Sequence, residues 1–207
     1  MKKIIKDGVP VGNWEDKYHS KNPIVKYLMN GFKRSIADLL IDKKDSINSV
    51  LECGCGEGEI TRYVHFLLNK PKTSAFDFSE EMVNTANNNN KDTDICFFEK
   101  NIYELTNDNP TELVVCCEVL EHLEDYNLAL KKMKEFNAKY YLFSVPNEPI
   151  WRVLNFCRGK YITSFGNTPG HINHWGKTEF IKLVENSGFN IQGLRSPFPW
   201  TMLLLTR

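Results

Sequence analysis

Hydrophobic positions along the chain fall into two rhythms. Short apolar runs at 47–53, 73–76, 95–98, 113–117, 140–145, 189–194 and 202–205 read as buried strands. Between them, apolar residues recur at helical spacing. Val25, Leu28, Phe32, Ile36 and Leu39–Leu40 form one stripe, with Asn22–Pro23 supplying a cap and a first-turn proline. Ile60, Tyr63, Val64, Leu67 and Leu68 form a second, stopped by Asn69 and Pro71. Ser79 caps a third helix with Glu80 and Glu81 in its first turn, and the asparagine run 87–90 is expected to end it as a solvated turn. Leu123, Tyr126, Leu130 and Met133 mark a fourth. The last runs from Gly176 to Ser187, with Glu179 three residues past the cap and Gly188 after the end.

Strands alternating with helices imply a parallel sheet covered on both faces. The connection from 98 to 113 is too short for a further helix, and Asp42–Ser46 reads as a charged loop. Ser196-Pro197-Phe198-Pro199 is too short for a crossover, so the last two strands pair antiparallel. Residues 146–175 break the rhythm with Trp151, Arg152, Arg158, Lys160, Tyr161, Phe165, Gly166, Pro169, Gly170, His171, His174 and Trp175. An aperiodic stretch of that length in a compact domain points to function. With no repeat and no linker, 1–207 reads as one domain with an N-terminal cap at 1–46 and a substrate-side insertion at 146–175.

Composition narrows the function classes. The chain has 26 Lys+Arg and 26 Asp+Glu, a formal net charge of zero that argues against a nucleic-acid-coating surface. No apolar stretch is long enough to span a bilayer. Met1–Ile5 is basic but runs into Lys6-Asp7-Gly8, unlike a signal peptide. The six cysteines, at 53, 55, 96, 116, 117 and 157, lack paired C-x-x-C spacing. Four of them lie in apolar runs that read as strands, and the set reads as reduced core cysteines, which suits the cytosol.

The stretch Ser49-Val50-Leu51-Glu52-Cys53-Gly54-Cys55-Gly56-Glu57-Gly58 is a strand, a glycine-rich turn and a helix start. Glycines there let the backbone turn sharply and approach a ligand. A dinucleotide loop would need G-x-G-x-x-G, but position 59 is Glu, which disfavours a NAD oxidoreductase. Glu52-x-Gly54-x-Gly56-x-Gly58 instead resembles motif I of class I S-adenosylmethionine (SAM)-dependent methyltransferases. Later landmarks follow in order: Asp77 after the second strand, Asn101 after the third, and Val115-Cys116-Cys117-Glu118-Val119-Leu120-Glu121-His122 at the fourth.

The resemblance implies a Rossmann-like three-layer sandwich. Its seven-stranded, mostly parallel sheet would have one antiparallel strand and the order 3-2-1-4-5-7-6. It implies SAM as cofactor and S-adenosylhomocysteine as product. The residues it assigns to the cofactor are Glu52, Gly54, Cys55, Gly56, Gly58, Asp77 on the ribose diol, Phe78 and Met82 on the adenine, Asn101 for the adenine amino group, Ile102, Cys117, Glu118 and Tyr18.

Methyl transfer from a sulfonium is a direct displacement, and an oxygen or nitrogen nucleophile must also lose a proton. His122, His171 and His174 are the candidate catalytic residues. No metal is assigned. The alternative is a set of Glu118, Glu121 and His122, because E-x-x-E-H resembles the magnesium-site segment of ubiquinone-pathway O-methyltransferases and of Hen-class small-RNA 2′-O-methyltransferases. The expected function is methyl transfer to O or N of a small molecule in the cytoplasm, with nucleic acid disfavoured and no membrane span. The alternatives are a magnesium-dependent RNA 2′-O-methyltransferase and a non-catalytic SAM-binding module.

Overall fold

The structure, a computed structural model, describes residues 5–6, 9–10, 21–107, 110–148, 150–151, 154 and 170–207. Tyr18, Arg152, Arg158, Lys160, Tyr161, Phe165, Gly166, Pro169 and Cys157 lie outside the described residues. Seven strands build one sheet: β1 Ser49–Cys53, β2 Lys72–Asp77, β3 Cys96–Glu99, β4 Leu113–Cys117, β5 Tyr140–Pro146, β6 Asn190–Arg195 and β7 Trp200–Thr206. Their spatial order is 3-2-1-4-5-7-6, as the resemblance implied. Strands β1 to β5 pair parallel, and β7 runs antiparallel to both β5 and β6. The order reverses between β1 and β4, which opens a crevice at their carboxyl ends where ligands bind in open α/β sheets.

The apolar runs of β1, β4, β5 and β7 are continuous because these strands are buried on both faces, and alternate residues serve different cores. Leu51, Cys53, Val114, Cys116, Tyr141, Phe143, Val145, Leu203 and Leu205 face one core. Helices α4 (Tyr126–Glu135) and α5 (Lys177–Asn186) cover it with Leu130, Met133, Phe180 and Val184. Val50, Leu113, Val115, Cys117, Leu142, Met202 and Leu204 face the other. That face is covered by α1 (Pro23–Leu40) and α2 (Glu59–Leu67) through Phe32, Ile36, Leu40, Ile60 and Val64. Helix α3 (Glu80–Asn89) sets Val83 and Ala86 on Ala75 and Phe97. Helix α1, in the stretch read as an N-terminal cap, thus packs directly on the sheet.

Several local expectations change. Three residues of the asparagine run, 87–89, belong to α3. Asn87 and Asn90 donate their side-chain amides to the carbonyls of Val83 (3.0 Å) and Ala86 (2.8 Å), bonds that fit helical spacing. The charged loop is a 3-10 turn, Ile41–Ser46, and Ile102–Glu104 forms another between β3 and β4. Cys96 is exposed on the edge strand, whereas Cys53, Cys55, Cys116 and Cys117 are buried; all five carry free thiols. Lys134 donates to the Ser187 carbonyl at 3.0 Å, where a cation suits the end of α5. Asn22 caps α1 and Glu179 closes the N-terminus of α5 as expected. Among the described residues no helix is long and apolar enough to cross a membrane.

One close approach fixes the mouth of the crevice. Gly54 has φ +74°, and a Cβ there would overlap a Val119 methyl group beyond β4. Gly54→Ala is therefore expected to lower stability by about 2–4 kcal/mol in urea denaturation, the sum of backbone strain and overlap. Val119→Ala in that background should recover the overlap part. No recovery would mean that the turn after β4 does not set the loop's position.

Candidate active site at the carboxyl edge

The glycine loop is shaped by the strand beside it. Gly54 and Cys55 both donate backbone N–H groups to the Phe76 carbonyl of β2, at 2.8 and 2.9 Å. Asp77, the last residue of β2, takes the Gly56 N–H on Oδ2 (2.9 Å) and the Ser79 N–H on Oδ1 (3.1 Å). One carboxylate thereby ties the loop to the start of α3. Gly56 has φ +51°, and the space its missing Cβ would take is open, with no atom within 4 Å. The backbone at Gly56 is thus laid bare for close approach.

The other residues expected at the cofactor divide into two groups. Phe78 is half-buried and Met82 buried beside Asp77. Asn101 is exposed at the end of β3, and its Oδ1 accepts the Tyr103 N–H at 3.0 Å as the cap of a turn. Cys55, Ile102 and Cys117 each pack in a core cluster, and the Cys55 thiol also lies 3.7 Å from the Gly56 carbonyl of the loop.

The turn after β4 departs from the regular helix that would align Glu118, Glu121 and His122. Glu118 has φ +61°, a strained left-handed conformation for a residue with a side chain. Its carboxylate accepts the Trp200 indole N–H from β7 and the Ser144 hydroxyl (3.2 Å) from β5. The 3-10 turn Leu120–His122 follows. A strap at 170–175 is laced to it. The N–H groups of Ile172 and Asn173 donate to the Glu121 carbonyl at 2.9 and 3.0 Å, and the Asn173 side chain donates to the carbonyls of Leu120 and Leu123.

This lacing brings three ligand-type side chains together. One donor atom each from Glu121, His122 and His171 lies within 4.8 Å of the others, with Glu121 and His171 buried. Glu118 is not in that group; His171 stands where the alternative metal set had it. His122 Nδ1 is 2.8 Å from the Gly170 carbonyl, which only accepts, so that nitrogen carries the hydrogen. His171 Nδ1 lies 2.6 Å from Glu148 Oε1, and His174 Nδ1 lies 3.4 Å from the same oxygen. Glu148 was not singled out in the sequence. The available signal was its place just past β5, the position that Asp77 and Glu118 hold on β2 and β4.

The fold and loop are those of a methyltransferase. The profile of the methyltransferase domain family matches residues 25–194, and the chain belongs to that family. Its cofactor is SAM. The ubiquinone biosynthesis O-methyltransferase of Rickettsia bellii is 24% identical over 188 residues, spanning 86% of this chain and 74% of that protein. Magnesium protoporphyrin IX methyltransferase from Synechocystis PCC 6803, solved with bound S-adenosylhomocysteine, shares the fold at a TM-score of 0.68. It is 17% identical, over 91% of this chain and 89% of that one. The methyltransferase domain of bacterial CtHen1-CN shares it at 0.63 with 20% identity, over 87% of this chain and all of that one (100%).

Glu52, beneath the loop, gives a measurable signature. It is 2% exposed and accepts a hydrogen bond from Thr61 of α2. Burial pushes its carboxyl up to about 8; the Thr61 bond opposes the shift and the nearby Asp77 charge adds to it. The unfolded chain releases this proton near 4.5 while the folded chain keeps it to about 8, so the folded state binds more protons in that window. Glu52 therefore erodes stability as pH rises from about 4.5 to about 8. Relative to the native chain, Glu52→Gln should gain stability between pH 5 and pH 8 in urea denaturation; an unchanged difference would contradict the buried, protonated acid.

Proposed function

We propose that the chain transfers the methyl group of SAM to an oxygen or nitrogen of a small-molecule acceptor. The observation that carries this reading is the convergence of His122, His171 and Glu121 at the carboxyl edge, beside the turn that packs on the glycine loop. The Nδ1 atoms of both histidines are committed as donors, to Gly170 and Glu148, which leaves Nε2 as the accepting nitrogen of each ring, that of His122 4.0 Å from Glu121 Oε1. Such a group takes the proton that an O–H or N–H nucleophile must release as its lone pair attacks the methyl carbon and S-adenosylhomocysteine departs. His174 stands by at the rim, more exposed than His171.

In this reading Asp77 receives the ribose diol and the open backbone at Gly56 receives the body of the cofactor. Phe78 and Met82 flank the adenine, with Asn101 at its amino edge. Glu52, Gly54, Cys55, Gly58, Ile102, Cys117 and Glu118 frame the pocket, and Tyr18 is assigned to it from the sequence. The free thiols of the described cysteines support a cytoplasmic setting.

The same cluster favours a second, metal-assisted reading. One carboxylate and two imidazoles fit a divalent ion, and each histidine has its other nitrogen fixed by a carbonyl or carboxylate, the usual outer shell of such a site. Glu121, His122 and His171 would hold it. A bound ion there would polarise the acceptor oxygen. Two nitrogen ligands suit manganese, cobalt or zinc better than magnesium, which prefers oxygen. An RNA acceptor is disfavoured by the zero net charge.

The test is methyl-labelled SAM offered with phenols, hydroxy acids, amines and a short RNA duplex, each with and without EDTA. Labelling of a small hydroxyl or amine acceptor that falls at least tenfold in His171→Ala or His122→Ala supports the proposal. Labelling of RNA alone, or full activity in both variants, would overturn it. Survival in EDTA would remove the metal-assisted version and leave the imidazoles as bases.

A further inference from the structure

The cluster depends on a carboxylate that takes no part in it directly. Glu148 is 3% exposed, just past β5. Its backbone N–H donates to the Trp175 carbonyl at 3.2 Å, and the neighbouring Asn147 N–H donates to the Pro199 carbonyl at 2.9 Å. These two bonds hold Glu148 between the strap and the β6–β7 connection, whatever its side chain does. The side chain places one oxygen, Oε1, against Nδ1 of both His171 and His174. Its second oxygen, Oε2, is buried with no hydrogen-bond partner among the described residues. A buried acceptor left in that state is costly and calls for an explanation.

We propose that Glu148 is a positioning residue for methyl transfer: it fixes His171 as the Nδ1–H tautomer and so leaves Nε2 as the ring's lone pair. The inference rests on reading the histidine cluster as the proton-accepting or metal-holding centre. A carboxylate only accepts, so a bond of 2.6 Å to Nδ1 fixes which nitrogen carries the hydrogen. The His171 ring is also held elsewhere. Trp151 stacks on it, with centroids 6.4 Å apart and planes 22° apart, and His122 meets it edge-on at 4.9 Å. With its face, edge and Nδ1 engaged, the imidazole cannot turn to exchange its nitrogens. His174, 33% exposed, meets the same oxygen at the rim of the site.

The test pairs a spectrum with a rate. In protein labelled with nitrogen-15 histidine, His171 (assigned by His171→Gln) should show the Nδ1–H tautomer in the native chain and in Glu148→Gln, whose amide oxygen still accepts. Glu148→Leu should give a mixture. With an acceptor in hand, Glu148→Leu should lower kcat roughly 10- to 100-fold, the usual loss when an outer-shell partner is removed. KM for SAM should stay constant, and Glu148→Gln should restore much of the rate. Adding His171→Gln to Glu148→Leu should cost little more, because the two act as a unit. A native His171 in the opposite tautomer, or native kcat in Glu148→Leu, would overturn the proposal. So would a loss of SAM affinity in parallel with kcat in both variants, the mark of a purely structural role. Failure to methylate any acceptor would count against the proposed function instead, while the tautomer spectra would still decide the role of Glu148.

Discussion

The Asp77 carboxylate is the contact on which the site's shape depends. By accepting the Gly56 N–H and the Ser79 N–H together, it joins the turn after β1 to the start of α3 after β2. The loop needs that anchor because Gly54, Gly56 and Gly58 all sit at positive φ, and Gly56, between two packed glycines, has no atom within 4 Å of its missing Cβ. The Phe76 carbonyl, taking two N–H groups, supplies the rest of the hold. The loop is thereby set before a cofactor arrives, which reduces the ordering cost of binding. The acid that shapes the turn is also the acid proposed to receive the ribose.

All five parallel strands carry an acid at or just beyond their carboxyl ends, β3 ending in Glu99, and for the other four the neighbours of each decide what it does. Glu52 is closed under α2 and keeps its proton to about 8. Asp77 is held by backbone donors. Glu118 is drawn to the Trp200 indole and the Ser144 hydroxyl. Glu148 meets two histidines. One chemical group at one edge of one sheet therefore provides a structural acid, a loop anchor, a turn clamp and a histidine partner. Fold alone does not assign such roles; the second neighbour does.

The parallel sheet was legible because strands buried on both faces appear as unbroken apolar runs. The glycine loop and Asp77 were legible because a tight turn with positive φ demands glycine at fixed spacing. Glu118 and His171 were legible as residues, but the partners that aim them were not: Glu118 is directed by Trp200, 82 residues later on an antiparallel strand. Glu148, 23 residues from His171, meets it only through the strap and was not legible at all. Ile102 and Cys117 also serve the packing, Ile102 in one core and Cys117 on the same sheet face as Leu113 and Val115. The composition of the asparagine run does not reveal that Asn87 and Asn90 bond back to the carbonyls four residues earlier.

The central claim is that this loop, with Asp77 as its anchor, holds SAM and not a dinucleotide. Titration calorimetry of the native chain with SAM, S-adenosylhomocysteine and NAD tests it most directly. The account predicts one-to-one binding of SAM and S-adenosylhomocysteine and no heat from NAD. Binding of NAD with no binding of SAM would contradict it.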